Sequence, residues 1–160
     1  MSGQKPKSQA GAVPKMVNKK AFYDYEIIEK VEAGISLVGT EVKSLRAGGA
    51  DLTGSFARII DEECWLVGCN IAPYEQAGVV NHNPLRKRKL LLHRAQIRKL
   101  AARVEQKGFT LIPLRIYFGE RGYAKVELAV GRGKRKYDKR EKIQRRQQEK
   151  DIDRGVKRYR

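Results

Sequence analysis

The chain has 160 residues, 41% of them hydrophobic, and carries 35 Lys and Arg against 18 Asp and Glu, for a formal net charge of +17. That length suits one small folded domain with charged extensions, and the charge excess points to a polyanionic partner. No apolar run approaches the roughly 20 residues of a membrane-spanning helix and the opening segment has no apolar signal core, so a soluble, cytoplasmic protein with no membrane partner is expected.

The excess charge is unevenly placed. Residues 1–20 hold five Lys and no acid, and residues 131–160 hold fourteen bases against five acids, which leaves the middle of the chain nearly balanced. Residues 1–17 are rich in Gln, Ser, Gly, Pro and Lys, a composition with little to bury, and read as a disordered basic leader. A folded domain over 18–130 and a basic tail over 131–160 complete the expected layout.

Residues 23–31 alternate apolar and polar positions through Tyr23, Tyr25, Ile27 and Val31, which predicts a strand. Glu32-Ala33-Gly34 then reads as a tight turn and 35–37 as a returning strand. Thr40 suits a helix N-cap, Glu41 the positive end of a helix, Lys43 and Arg46 its negative end, and Gly48 its stop. A two-turn helix with Val42 and Leu45 inward follows. Residues 56–60 and 65–71 form a predicted hairpin around Asp61-Glu62-Glu63, a solvated turn.

Residues 74–86 read as an exposed loop, long enough to be functional, in which His82 serves a turn and which Arg86-Lys87-Arg88-Lys89 closes. Helical spacing of Ile97, Leu100, Ala101 and Val104, followed by Gly108, predicts a helix over 94–107, with His93 at a strand end or at the helix start. Strands at 110–118 and 123–130 flank a turn at 119–122, and Pro113 argues for an edge position or a bulge. Six short strands and two or more helices with no βαβ alternation imply an all-β fold with peripheral helices, namely an oligonucleotide-binding (OB)-like antiparallel barrel.

Between Arg86 and Val104 lie eight bases and no acid: Arg86, Lys87, Arg88, Lys89, Arg94, Arg98, Lys99 and Arg103. Repulsion on that scale favours phosphate contact over a merely solvated face. Enzymatic chemistry finds no support. His82 and His93 have no acid at a telling spacing, Cys64 and Cys69 lack partners at zinc-ligand spacing and read as reduced strand residues, and Gly131-Arg132-Gly133-Lys134 lacks the spacing of a nucleotide-binding loop. No catalytic residue, metal or cofactor is expected. After the glycines the tail has only Ile143, Ile152 and Val156 as aliphatics; it is expected to be disordered when free, with helix-forming residues from 138 to 150 that order on a phosphate lattice.

Five strings go beyond composition. Asn18-Lys19-Lys20-Ala21, Glu32-Ala33-Gly34-Ile35, Gly39-Thr40-Glu41-Val42-Lys43-Ser44-Leu45-Arg46, Arg88-Lys89-Leu90-Leu91-Leu92-His93 and Asp138-Lys139-Arg140 stand in the order and spacing of the SsrA-binding protein, or small protein B, family. The resemblance covers about 18–146. It implies a non-catalytic RNA-binding adaptor that binds the tRNA-like domain of transfer-messenger RNA and promotes its alanylation. The adaptor then delivers that RNA to ribosomes stalled on broken messages. Alanyl-tRNA synthetase and elongation factor Tu with GTP would be engaged through the RNA, and a monomer is expected.

Through these strings the family's RNA contacts carry over to Asn18, Glu32 and Leu90, with Lys125 as a basic match on the last strand. The neighbouring bases Lys20, Arg86, Arg88 and Lys89 complete the expected interface. From residue type alone, Glu32 serves equally well as an RNA acceptor or as turn or salt-bridge support, and Leu90 reads as core. The tail resembles the segment that enters the empty messenger channel and decoding centre of the small ribosomal subunit, with Lys134, Lys136, Tyr137, Asp138, Lys139 and Arg140 as candidate contacts. Tyr137 would stack on a ribosomal base, and the match loosens after Arg146 at Gln147 and Gln148. A structural ribosomal protein is the alternative that the same basic composition allows.

Overall fold

The computed structural model describes residues 15–106, 108–134 and 136–158; the expected leader otherwise lies outside them. Its last residues belong to the fold: strand β1 (Met16–Val17) pairs antiparallel with Ile116 and Arg115, and Met16 is buried. Asn18 then caps helix α1 (Lys19–Asp24), accepting the Ala21 N–H on its side chain at 3.2 Å. This helix absorbs Tyr23 and Asp24, which alternation alone assigns to a strand.

Strand β2 (Tyr25–Ile35) corrects the expected turn at Glu32-Ala33-Gly34. The strand runs straight through these residues, and they pair with Glu127, Val126 and Lys125. Gly34 serves proximity rather than a turn: a Cβ there would sit a tight 3.2 Å from the Leu91 Cβ on the neighbouring strand. A bulge between Ile27 and Glu29 shifts the register.

Helix α2 (Gly39–Arg46) forms where predicted, with Leu45 fully buried and Gly48 in the left-handed region at φ 79°. Its N-cap is Val38 rather than Thr40, because the Glu41 carboxylate reaches back to the Val38 N–H at 3.0 Å. Strand β3 (Ala50–Asp51) pairs with β6 (Asn70–Ile71) in a separate two-stranded ribbon. Strands β4 (Phe56–Ile60) and β5 (Glu63–Val67) make the predicted hairpin around a two-residue turn, Asp61 and Glu62, at φ 51° and 61°. Gly68 at φ 77° ends β5 and splits the strand expected over 65–71.

A single 3-10 turn (Glu75–Ala77) interrupts the long loop, and the basic string that was expected to close it enters strand β7 (Arg88–Leu91). Helix α3 (Arg94–Glu105) follows, with Ile97 and Leu100 buried. Strands β8 (Phe109–Phe118) and β9 (Ala124–Gly133) form the longest hairpin, and β9 runs three residues past the domain edge expected at 130. The register slips between Pro113 and Arg115, the predicted bulge, although β8 is no edge strand: β9 lies on one side and β4 and β1 on the other.

The large sheet has the order β1-β8-β4-β5-β7-β2-β9, entirely antiparallel, with β8 also paired to β9. Four α-helices among the described residues make the fold a mixed α and β, OB-like one, which corrects the all-β expectation. Leu45, Leu66, Ile71, Leu111, Ile116, Val126 and Leu128 form its main core, each contributing roughly 1.5–3 kcal/mol by leaving water. Ala21, Ile112, Leu114 and Ala129 form a second cluster that seats α1 on β8 and β9. The tail is helix α4 (Lys136–Arg158), where composition predicts a disordered free chain. Arg140 and residues 143–154 are all exposed on it, so these side chains lie in solvent and outside the core.

Candidate nucleic-acid interface

Three adjacent strands assemble the principal cluster. Glu32 on β2, Lys125 on β9 and Tyr117 on β8 are brought together because β9 lies between the other two, with Gly34 and Tyr117 both in register with Lys125. Lys125 Nζ donates to Glu32 Oε1 at 2.7 Å, and the Tyr117 hydroxyl donates to Oε2. The Lys125 hydrogen bond, then that of Tyr117, holds the Glu32 carboxyl below the usual range. Burial, reinforced by the Glu32 carboxylate, pushes the Tyr117 phenol up to about 12. The pair stays open to water, with the Glu32 and Lys125 side chains 51% and 40% exposed. They line a cleft of about 610 Å³ together with Tyr123 and Arg121 of the β8–β9 turn.

Strand period then sorts the basic and leucine-rich string. Leu90 is buried, facing Cys64 and Ile35, whereas Leu91 points out and is 54% exposed. The outward leucine therefore belongs to the face that carries Glu32, and Leu90 belongs to the core beneath it. Lys89 is half-exposed and bonds Glu63 at 2.7 Å. Arg88 is fully buried: Nε donates to Glu41 Oε1 at 2.9 Å, Nη1 to the Cys69 carbonyl and Nη2 to the Pro84 carbonyl. Arg86 is partly exposed and forks onto the same carboxylate, Nε to Oε1 at 3.1 Å and Nη2 to Oε2 at 2.8 Å.

Glu41 is thus a buried anchor for two of the five bases expected to meet RNA. Burial alone would raise its pKa, but the Arg86 hydrogen bonds, the Val38 N–H and the Arg88 charge outweigh it and hold the carboxyl low. His82 ties the same loop down, with Nε2 donating to the Ile71 carbonyl and Nδ1 2.9 Å from Thr40 Oγ1. No local spacing signals this network, since Glu41 precedes its partners by 45 and 47 residues.

Asn18 is 4% exposed, and besides capping α1 its Nδ2 donates to the Leu52 and Pro113 carbonyls. Its side chain therefore fixes α1, and with it the exposed Lys20, which lines a separate recess of about 210 Å³. On α3, Lys99 and Arg103 lean on Glu29 at 2.8 and 3.9 Å, which leaves Arg94 and Arg98 as its exposed cations without an ion pair among the described residues. In the tail, Lys134 is half-buried with Nζ near the Phe22 carbonyl at 3.3 Å, and Arg140 is exposed. The side chains of Lys136, Tyr137, Asp138 and Lys139 lie outside the described set. Sequence reading overlooks Leu91, Tyr117, Arg121 and Tyr123; an outward aromatic beside a glycine turn is the available signal for the last.

Nothing in this arrangement is built for bond chemistry. Burial pushes the Cys64 and Cys69 thiols up to about 11, which keeps them protonated and unreactive. Exposed cations, a paired carboxylate and an outward tyrosine are instead suited to phosphate, ribose and base faces.

The chain matches the family model described as SmpB protein over residues 15–158. It is 60% identical over 127 residues to the SsrA-binding protein of Thermus thermophilus, covering 79% of this chain and 88% of the relative. It is 58% identical over 144 residues to that of Chloroflexus aurantiacus, covering 89% of each. Among solved structures it is similar to one described as "tmRNA-SmpB: a journey to the center of the bacterial ribosome", with a TM-score of 0.67, 57% identity and coverage of 81% of this chain and 94% of the other. A family match that spans the fold from β1 to α4, together with relatives this similar, means that the chain belongs to the SmpB, or SsrA-binding protein, family.

Proposed function

We propose that the chain binds the tRNA-like domain of transfer-messenger RNA and brings it to stalled ribosomes, acting as an adaptor and not as a catalyst. Family membership over 144 residues from 15 to 158 carries this reading, and the open Glu32–Tyr117–Lys125 cleft supplies its chemistry. In this reading Lys125, Arg121, Lys20 and Arg86 would meet phosphate, and Leu91 and Tyr123 would meet bases. Asn18, Arg88 and Leu90 serve the same interface from beneath, by holding α1, the long loop and β7. The pairings from β8 through β4, β5, β7, β2 and β9 back to β8 support a barrel of the OB type, whose face would present this cleft.

In this reading α4, with Lys136, Tyr137, Asp138, Lys139 and Arg140, enters the vacant messenger channel of the small subunit and reports the missing message. Elongation factor Tu with GTP and alanyl-tRNA synthetase act through the RNA on a monomeric, cytoplasmic protein. No helix among the described residues is long and apolar enough to cross a membrane.

Binding of the isolated tRNA-like RNA at several salt concentrations tests the first surface. Affinity should fall by about three to four decades between about 50 and 200 mM salt if roughly eight phosphates are contacted. Equal affinity for an unrelated structured RNA of the same length would overturn the reading. Truncation after Lys134, which leaves β9 whole, tests the second: RNA affinity should persist while tagging on stalled ribosomes is lost. Normal tagging by the truncated chain would refute that division of labour.

A further inference from the structure

The cleft at Glu32 continues into a second, more apolar recess of about 460 Å³, with which it shares Tyr123 and Lys125. Leu91, Leu37, Val42 and Phe118 supply its walls; Lys125 is its one charged lining residue, and no acid lines it. Tyr123 and Leu91 are 72% and 54% exposed, and adjoining outward apolar side chains of this kind mark interaction surfaces.

Local structure holds these side chains in place. The turn ahead of Tyr123 is closed by Gly122 N–H to the Gly119 carbonyl and Gly119 N–H to the Tyr123 carbonyl, both 2.9 Å, with Gly122 at φ 79°. Glycine at 34 lets Leu91 pack close to β2, since a Cβ at that position would sit a tight 3.2 Å from the Leu91 Cβ. Arg46 comes in from the end of α2, its guanidinium 5.4 Å from the Phe118 ring centroid and its Nη2 4.0 Å from the Cβ position of Gly122. Arg46 and the exposed Arg121 have no ion pair among the described residues.

We propose that this recess is a base-binding subsite, in which an unpaired nucleobase of the bound RNA stacks on the Tyr123 ring against Leu91 while its flanking phosphates meet Arg121, Lys125 and Arg46. The inference rests on the RNA-binding reading above and assigns it a specific contact. An apolar side chain of a protein partner would cover Tyr123 and Leu91 equally well but would leave Arg46 and Arg121 without counter-charge. A nucleotide satisfies the ring, the leucine and the cations together. Every base has a stacking face, so this contact selects for an unpaired, turned-out base rather than for its identity.

The test uses the full chain and the tRNA-like RNA carrying 2-aminopurine at each unpaired position in turn. Tyr123→Ala should weaken binding by about 5- to 150-fold, the range expected for one lost base stack, with no change in the slope of affinity against salt. Tyr123→Phe should bind as the parent does and Tyr123→Leu should not. Arg121→Ala should instead lower the salt slope by about one. One 2-aminopurine position should be quenched on binding and released by Tyr123→Ala. Equal binding by Tyr123→Ala, or full activity of Tyr123→Leu, overturns the subsite while the parent protein still binds the RNA. Failure of the parent to bind the RNA at all would instead overturn the underlying function.

Discussion

Glu32 and Glu41 are both carboxylates whose two oxygens are taken by donors from distant strands and loops, yet they do opposite work. Glu32 is half-exposed beside an equally open Lys125; Glu41 and Arg88 are both fully buried. At the surface, water competes for both ions, so the pair costs little to open and its lysine is free to exchange a carboxylate for a phosphate. Inside, no water replaces a lost partner, and the carboxylate must keep every donor it has. The accessible pair can therefore be a contact, whereas the buried one can only hold the long loop and β7 against α2.

The largest effect should come from breaking the buried side of this contrast. Glu41→Ala leaves the Arg88 guanidinium without its counter-ion and should cost about 3–5 kcal/mol of folding stability, read from the urea midpoint of the full chain. Adding Arg88→Met to that variant should recover part of the loss, because it removes the stranded charge. A cost under about 1 kcal/mol for Glu41→Ala would remove the distinction, since that is what an exposed pair is worth. Asn18→Ala comes next. It deletes the cap of α1 and two bonds to buried carbonyls, for about 0.5–2 kcal/mol from the cap alone. Any weakening of RNA binding should track the loosening of Lys20 rather than a lost direct contact.

This contrast marks how far the sequence could be read. Helix α3, the β4–β5 hairpin and the β8–β9 hairpin were legible because their periodicity and glycine stops are local signals. Gly34 misled because a glycine after two small or polar residues looks like a turn, while its cause, the approach of Leu91, lies 57 residues away. The four bases at 86–89 look alike in sequence. Only the pairing of β7 with β5 and β2 decides that Arg88 and Leu90 face inward and Leu91 outward. Glu41 was legible as a helix-start residue but not as the partner of two arginines. Family resemblance named Glu32 and Lys125; that they bind each other, with Tyr117, is a fact of register.

On the exposed side, Lys125→Ala should change stability by no more than about 1 kcal/mol while weakening RNA binding and lowering its salt slope by about one. Stability lost without any change of slope would mean that Lys125 supports Glu32 and meets no phosphate. Arg132→Ala is the matched control, since it also removes an open pair, with Glu26 at 3.1 Å, but away from the Glu32 cleft.

The smallest effect separates the groups by pH. The Lys125 hydrogen bond depresses Glu32; for Glu41, burial works the other way and is outweighed by Arg86, Val38 and Arg88. Both folded carboxyls lie below their unfolded values. Their contribution is therefore present above the unfolded carboxylate value of about 4.3 and is lost as pH falls through the folded values. Tyr117 has the opposite sign, its folded pKa being raised to about 12 by burial and then by Glu32. Its contribution is complete below the unfolded phenol value of about 10 and disappears as pH climbs from there to the folded value. Urea unfolding followed from neutral to strongly alkaline pH should show the parent losing stability over that window more steeply than Tyr117→Phe, with the two curves parallel below it. If their alkaline slopes coincide, the Tyr117 hydroxyl is not held by Glu32, and the cleft loses the bond that orients its carboxylate beside Lys125.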